Sequence, residues 1–133
     1  MLLEDIQDPG NLGTILRTGE GAGIDGVIMS RDTADIYNPK TIRSTMGSIY
    51  RVPFLYVPSL SDMIAELKQK KITVYAAHLK GNGLKEETAA LADSYIKIPM
   101  GGKVESLNAA MASGILMYEA SRQRRFMTDG AKK

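Results

Sequence analysis

The sequence predicts an α/β fold: a parallel sheet with helices on both faces, in three layers. Three observations carry that prediction. Short β-rich apolar runs alternate with stretches whose apolar residues recur at helical spacing, along the whole chain. The connections between them are short and punctuated by Gly, Pro, Asn and Ser. Near the C-terminus a long helix, entered through a glycine-rich loop, is apolar almost all round, as a helix buried on both sides must be.

The elements follow in order. Leu2–Ile6 reads as a first strand. Gln7-Asp8-Pro9-Gly10 reads as a type II turn, after which Asn11 caps a helix with Leu12, Ile15, Leu16 and Gly19 on one face. Gly21 and Gly23 end that helix, and Gly26–Met29 is a second strand. A polar loop, Ser30–Tyr37, leads to a short helix capped by Asn38, with Pro39 at its first position. Pro53–Val57 is a third strand. Ser59 caps a third helix striped by Leu60, Met63, Ile64 and Leu67. Ile72–Leu79 is a fourth strand, Gly81-Asn82-Gly83 a turn, Leu84–Ala92 a helix and Tyr95–Ile98 a fifth strand. The last helix starts at Ser106 or Leu107. It places Leu107, Ala110, Met111, Gly114, Ile115 and Tyr118 on one side, with Ala109, Ala112, Leu116, Met117 and Ala120 on the other.

Composition narrows the function. With 133 residues the chain reads as one domain over residues 1–126, followed by a flexible basic tail at 127–133. It has no cysteine and one histidine, His78, so thiolate metal sites are excluded and a histidine-based one is not expected. No apolar run is long enough for a bilayer, and a cytoplasmic protein without membrane contact is the expectation. Net charge is only +2, but Lys40, Arg43 and Arg51 cluster mid-chain and Arg122, Arg124 and Arg125 near the end. An anionic partner is allowed and not required, because solvated basic faces are common.

In a parallel sheet, ligands bind beyond the carboxyl ends of the strands. Three loops there carry glycine and polar residues: Gln7–Asn11, Gly81–Gly83 and Met100–Asn108. Gly10 and Gly13 do not complete a dinucleotide fingerprint, and no NTPase phosphate loop exists. The polar residues Glu105, Ser106 and Asn108, at the entrance of a buried helix, need partners: backbone, ligand or another subunit. On these residues alone, Asn11 and Asn108 read equally well as helix caps, and Arg17 as a surface residue.

Two blocks together change that balance. Asp8-Pro9-Gly10-Asn11-Leu12-Gly13-Thr14-Ile15-Leu16-Arg17-Thr18 closely resembles the first motif of the SpoU (TrmH-type) RNA methyltransferases. Ile98-Pro99-Met100 through Glu105-Ser106-Leu107-Asn108 to Gly114-Ile115-Leu116 resembles their third. Tyr37-Asn38-Pro39-Lys40, Arg43 and Met46-Gly47 resemble the segment connecting them. The resemblance implies a SPOUT-class α/β fold with a trefoil knot, a homodimer through the C-terminal helix, and S-adenosyl-L-methionine as cofactor. It also implies 2′-O-methylation of a ribose in ribosomal or transfer RNA. Carried onto this chain, it makes Asn11, Arg17, Ser106 and Asn108 catalytic, with Glu105 beside them. It gives Gly81, Ile98, Met100 and Leu107 to the cofactor, and Lys40, Arg43 and Arg51 to RNA.

The chain departs from the family in the middle. There the family has an apolar strand ending in a Gly-Asn-Glu loop and a Gly-Leu helix start. Here Ala76-Ala77-His78-Leu79-Lys80-Gly81 runs straight into Asn82-Gly83-Leu84. Either that segment is missing, or Ile72–Leu79 takes its place. The first reading removes one wall of the cofactor pocket and shortens the loop of the knot. It leaves an RNA-binding and dimerisation module as the alternative function.

Overall fold

The structure, a computed structural model, describes residues 1–77, 84–103 and 107–131, the last four of these as backbone only. Its elements are β1 (Leu2–Leu3), α1 (Pro9–Ala22), β2 (Val27–Ser30), α2 (Pro39–Thr45), a 3-10 turn (Ser48–Tyr50), β3 (Phe54–Val57), α3 (Leu60–Gln69), β4 (Tyr75–Ala77), α4 (Glu86–Ala89), β5 (Ser94–Ile96) and α5 (Ala109–Ala131). The alternating α/β order is as predicted, and every strand pairing is parallel. The single sheet is not: among the described residues β1, β2 and β3 form one sheet in that order, and β4 pairs with β5 in a second.

The core belongs to the first sheet. Leu12, Ile15 and Leu16 of α1 are completely buried, as is Met29 of β2. They join Leu3, Val27, Ile36, Ile49, Val52, Ala110 and Met117 in one apolar cluster. α2 comes so close to α1 that a Cβ on Gly13 would stand 2.4 Å from Ser44 Cβ and 2.6 Å from the Thr41 carbonyl oxygen. Only glycine permits that approach.

Helix ends differ from expectation in instructive ways. α1 begins at Pro9, with Asp8 as its cap: the Asp8 carboxylate accepts from Asn11 N at 2.9 Å. Asp before Pro offers a side-chain acceptor and a φ already set for the first turn, so Asn11 falls inside the helix. At the other end Gly23 takes the left-handed conformation (φ 79°) and closes it. α4 spans only Glu86–Ala89 instead of Leu84–Ala92. Beyond it the chain tightens into three-residue bonds, Leu91 N to Thr88 O and Ala92 N to Ala89 O, because Asp93 is drawn onto Val74. α5 starts at Ala109, with Asn108 as cap, and runs on to Ala131 through much of the segment expected to be a flexible tail.

α5 is not buried on both sides within one chain. Ala110, Ala112 and Met117 are buried, but Met111, Ile115 and Tyr118 remain 58%, 43% and 45% exposed. α1 packs along the stripe of Ala110, Gly114 and Met117, and the flanking stripe of Met111 and Ile115 stays exposed. Among the described residues no helix is long and apolar enough to cross a membrane. The knot turns on the loop at 78–83, which lies outside the described residues.

Candidate active site

Close contacts between α1 and α5 set the site. A Cβ on Gly114 would lie 3.1 Å from Thr18 Cγ2, and one on Gly19 would lie 3.3 Å from Met117 Sδ. A Cβ on Gly21 would meet the Tyr118 hydroxyl at 2.7 Å. Numbers rise together on both helices, so α1 and α5 run in the same sense past each other. Their N-termini therefore lie at the same end of the molecule, and Asn11, seven residues before Thr18, is level with Leu107, seven before Gly114. Asn11 and Thr18 also share a helix stripe, the one that faces α5. The two resembling blocks are thus brought together by helix packing.

Asn108 caps α5. Its Oδ1 accepts from Met111 N at 2.8 Å, and its backbone oxygen accepts from Ala112 N at 3.0 Å. That leaves the amide N–H pair to donate outward. The side chains of Asn11 and Arg17 make no hydrogen bond or ion pair with any described residue. Leu107 and Ile98 are half-buried and Met100 is exposed. A Cβ on Gly101 or Gly102 would meet nothing within 4 Å, so this loop offers bare backbone to its surroundings. Backbone N–H and C=O groups bordered by Ile98, Met100 and Leu107 fit one side of an adenosine-sized ligand. Gly81 and Ser106, the other residues predicted for this site, lie outside the described residues.

The structure separates other predicted members. Arg17 falls on a second stripe of α1, with Gly10, Gly13 and Glu20 at spacings of three and four, on the side facing α2. It stands about 9 Å further along the helix than Asn11 at ~1.5 Å per residue. Lys40 lies at the start of this stripe, its Cε 3.4 Å from a Cβ on Gly10. Arg51 lies at its end: Nε donates to both Glu20 carboxylate oxygens at 2.8 and 2.9 Å. Arg51 is therefore an ion-pair partner of α1.

Several residues that pin the site escaped sequence reasoning. Glu4, just after β1, accepts from Lys85 N at 2.7 Å and from the Thr88 hydroxyl at 2.5 Å, capping α4 from a distant part of the chain. Asp5 takes a positive φ of 52°, held by Ser30: its N–H donates to Ser30 Oγ, which donates back to Asp5 Oδ1, both at 2.8 Å. The Tyr56 hydroxyl accepts from Ile36 N at 2.9 Å and donates to the Ala34 oxygen, fixing the loop that leads to α2. Burial raises its pKa, which the bond from Ile36 only partly offsets. The one signal is local: an acidic pair, Glu4-Asp5, two residues before Asp8-Pro9-Gly10. Farther along α5, hydrogen bonds from Arg122 and Gln123 pull the pKa of Glu119 down to about 2.

Comparison with known proteins agrees with this geometry. The SpoU rRNA Methylase family matches residues 1–82 and 80–118. The Bacillus subtilis 23S rRNA (guanosine(2553)-2′-O)-methyltransferase RlmP is 34% identical, over 89% of this chain and 56% of its own length. Among solved structures, the SpoU methyltransferase AviRb from Streptomyces viridochromogenes, in complex with AdoMet, superposes with a TM-score of 0.84 at 30% identity, covering 92% of this chain and 58% of that one. An rRNA methyltransferase from Sinorhizobium meliloti gives 0.83 at 34% identity, covering 92% and 54%. The chain thus spans a little over half the length of the relatives it matches. The alignment with the B. subtilis protein has 139 positions but uses 89% of 133 residues, about 118, so about 21 positions of the relative face no residue of this chain. The two matched stretches overlap at 80–82, in the middle segment where the chain departs from the family.

Proposed function

This chain belongs to the SpoU rRNA Methylase family, and we propose that it transfers a methyl group from S-adenosyl-L-methionine to a ribose 2′-hydroxyl of ribosomal or transfer RNA. The observation that supports this reading is the co-directional packing of α1 on α5, which turns the N-terminal ends of both helices, Asn11 in the first turn of one and Asn108 capping the other, the same way. Ile98, Met100 and Leu107, together with Gly81, would hold the cofactor. Bound there, it supplies an electrophilic methyl group.

The rest is work for this chain's own residues. A ribose hydroxyl loses its proton as it attacks, so it must be held in line while its developing charge is stabilised. Asn11 orients the hydroxyl. Asn108 donates its free amide N–H, and Ser106 its hydroxyl, at a helix N-terminus that already favours negative charge. A guanidinium stays protonated in proteins, so Arg17 is no base. It neutralises the phosphate next to the target or polarises the hydroxyl. Lys40 and Arg43 take further phosphates. Met111 and Ile115, one turn apart on the exposed stripe of α5, suit a homodimer, and sedimentation should return the mass of two copies.

A second reading rests on that deficit and on the overlap of the matched stretches at 80–82: the same fold as an RNA-binding and dimerisation module. Calorimetric titration with S-adenosyl-L-methionine separates the two, because the module would show no binding at millimolar cofactor. If the enzyme reading holds, Arg17→Ala abolishes methyl transfer to 23S rRNA or bulk tRNA and leaves cofactor binding within about threefold, a loss of under ~1 kcal/mol. Loss of both would show that Arg17 supports the cofactor site instead of the target ribose.

A further inference from the structure

The outer face of α2 is aromatic as well as basic. Lys40 and Arg43 of α2, Tyr37 just before it, Met46 at its C-cap and Tyr50 in the 3-10 turn are all exposed, while Thr41, Thr45, Ser48 and Ile49 are buried. Tyr37, Met46 and Tyr50 are 64%, 65% and 84% exposed. This exposure is built in. The Tyr37 ring stands edge-on against Phe54, with centroids 6.1 Å apart at 73°. The loop before it is tied by the Tyr56 hydroxyl. Met46 and Gly47 both adopt positive φ, 48° and 91°, turning the chain from α2 into the 3-10 turn that carries Tyr50 outward. A methionine in that conformation is strained, so the bend is held by its surroundings. Lys40 and Arg43 form no ion pair among the described residues, and Asp35, the nearest acid in sequence, turns back onto the Tyr37 backbone N–H at 3.0 Å.

We infer that this face binds single-stranded RNA, with Tyr37 and Tyr50 as stacking platforms at its two ends and Lys40 and Arg43 as phosphate contacts between them. The inference rests on the RNA reading above and names the form of substrate: a loop or unpaired strand. Stacking on an aromatic ring requires a base whose face is free, whereas a duplex offers this surface only phosphates and ribose. A second copy of the chain suits the face poorly, because a two-fold contact would oppose Lys40 and Arg43 to their own images. The face also leads to the site. It runs beside α1 from Gly10, against Lys40, to Glu20, against Arg51. That span is about 15 Å at ~1.5 Å per residue, or roughly four stacked nucleotides at ~3.4 Å each. At its Lys40 end it reaches the residue next to Asn11.

The test is fluorescence polarisation with a short labelled single-stranded RNA and with the same strand in a duplex, in the absence of any methyl donor. The single strand should bind at least ~10-fold tighter than the duplex, and Tyr50→Ala should weaken single-strand binding by about tenfold. Tyr50→Phe should restore it. Tyr50→Ala should leave the slope of log affinity against log salt unchanged, whereas Lys40→Ala should flatten it by about 0.7. Equal affinity for duplex and single strand, or wild-type binding by Tyr50→Ala, overturns the inference. So does a halved sedimenting mass for Tyr50→Ala, which would assign the face to a second copy. Because no cofactor enters the assay, a chain that fails as a methyltransferase still decides this question.

Discussion

Among the described residues, the sheet of β1, β2 and β3 and the sheet of β4 and β5 are built to different standards. The half around β1, β2 and β3 contains the whole main apolar cluster, with Leu12, Ile15, Leu16 and Met29 fully buried between α1, β2 and their neighbours. The half formed by β4, α4 and β5 contributes nothing to that cluster. Its strands are three residues each, its buried side chains are Val74, Ala76 and Thr88, and Tyr75 and Tyr95 stand 59% and 61% exposed. Polar contacts tie it to the first sheet: the Glu4 carboxylate on Lys85 and Thr88, and Lys85 Nζ 3.5 Å from Asp5. The difference follows the chain's resemblance to its relatives. The half that carries the first motif is complete, and the half that lies next to the overlap of the matched stretches at 80–82 is thin. A hydrophobic core fixes the position of Asn11; a few hydrogen bonds fix the segment that would face the cofactor.

Three experiments break or sharpen that contrast. The largest effect is expected from Leu16→Ala, which opens a cavity in the main cluster and should cost about 2–5 kcal/mol. Thermal melting should show it as a global loss; a melt that spares one part of the chain would mean the main cluster does not govern both halves. Glu4→Ala leaves the Thr88 hydroxyl and the Lys85 N–H without their acceptor and should cost about 1–3 kcal/mol. Hydrogen exchange should speed up in α4 and β5 while α1 keeps its protection. Equal loss in α1 would show that the two halves open together. The smallest effect concerns the exposed end of α5. Glu119 titrates at about 2, below its ordinary value of 4.5, because Arg122 and Gln123 hydrogen-bond its ionised form. Its contribution is therefore complete above pH 4.5 and is lost as pH falls towards about 2. Circular dichroism should show a small helix loss over that window, absent in Arg122→Gln.

Legibility in the sequence divides along similar lines. Periodicity locates α2, α3 and β2 to within a residue or two, because each has a clear start or stop, and finds α1 but starts it three residues late. It overextends α4, where Asp93 bonds to Val74 and no local signal announces it. Asn11 reads as a cap because it is a good one; Asp8 with Pro9 is better placed, and the choice between them is settled by which can accept the Asn11 N–H. Lys40, Arg43 and Arg51 look like one patch in sequence. In the fold, Glu20, thirty-one residues before Arg51, takes that guanidinium. The long-range caps by Glu4 and the Ser30 clamp on Asp5 are invisible in sequence for the same reason.

By itself the sequence determined the alternating α/β order, the absence of thiolate metal chemistry, and two blocks specific enough to imply a family. These are local properties: spacing, turn residues and motif order are written along the chain. Tertiary structure decided which of those residues meet. It set Asn11 level with Leu107 because glycines at 19, 21 and 114 let α1 and α5 pack closely in the same sense. It placed Arg17 on the other stripe, paired the described strands in two sets, and turned Tyr37 and Tyr50 outward beside Lys40 and Arg43. Contacts between distant residues depend on packing shape and on competition among acceptors, and neither is encoded at any single position.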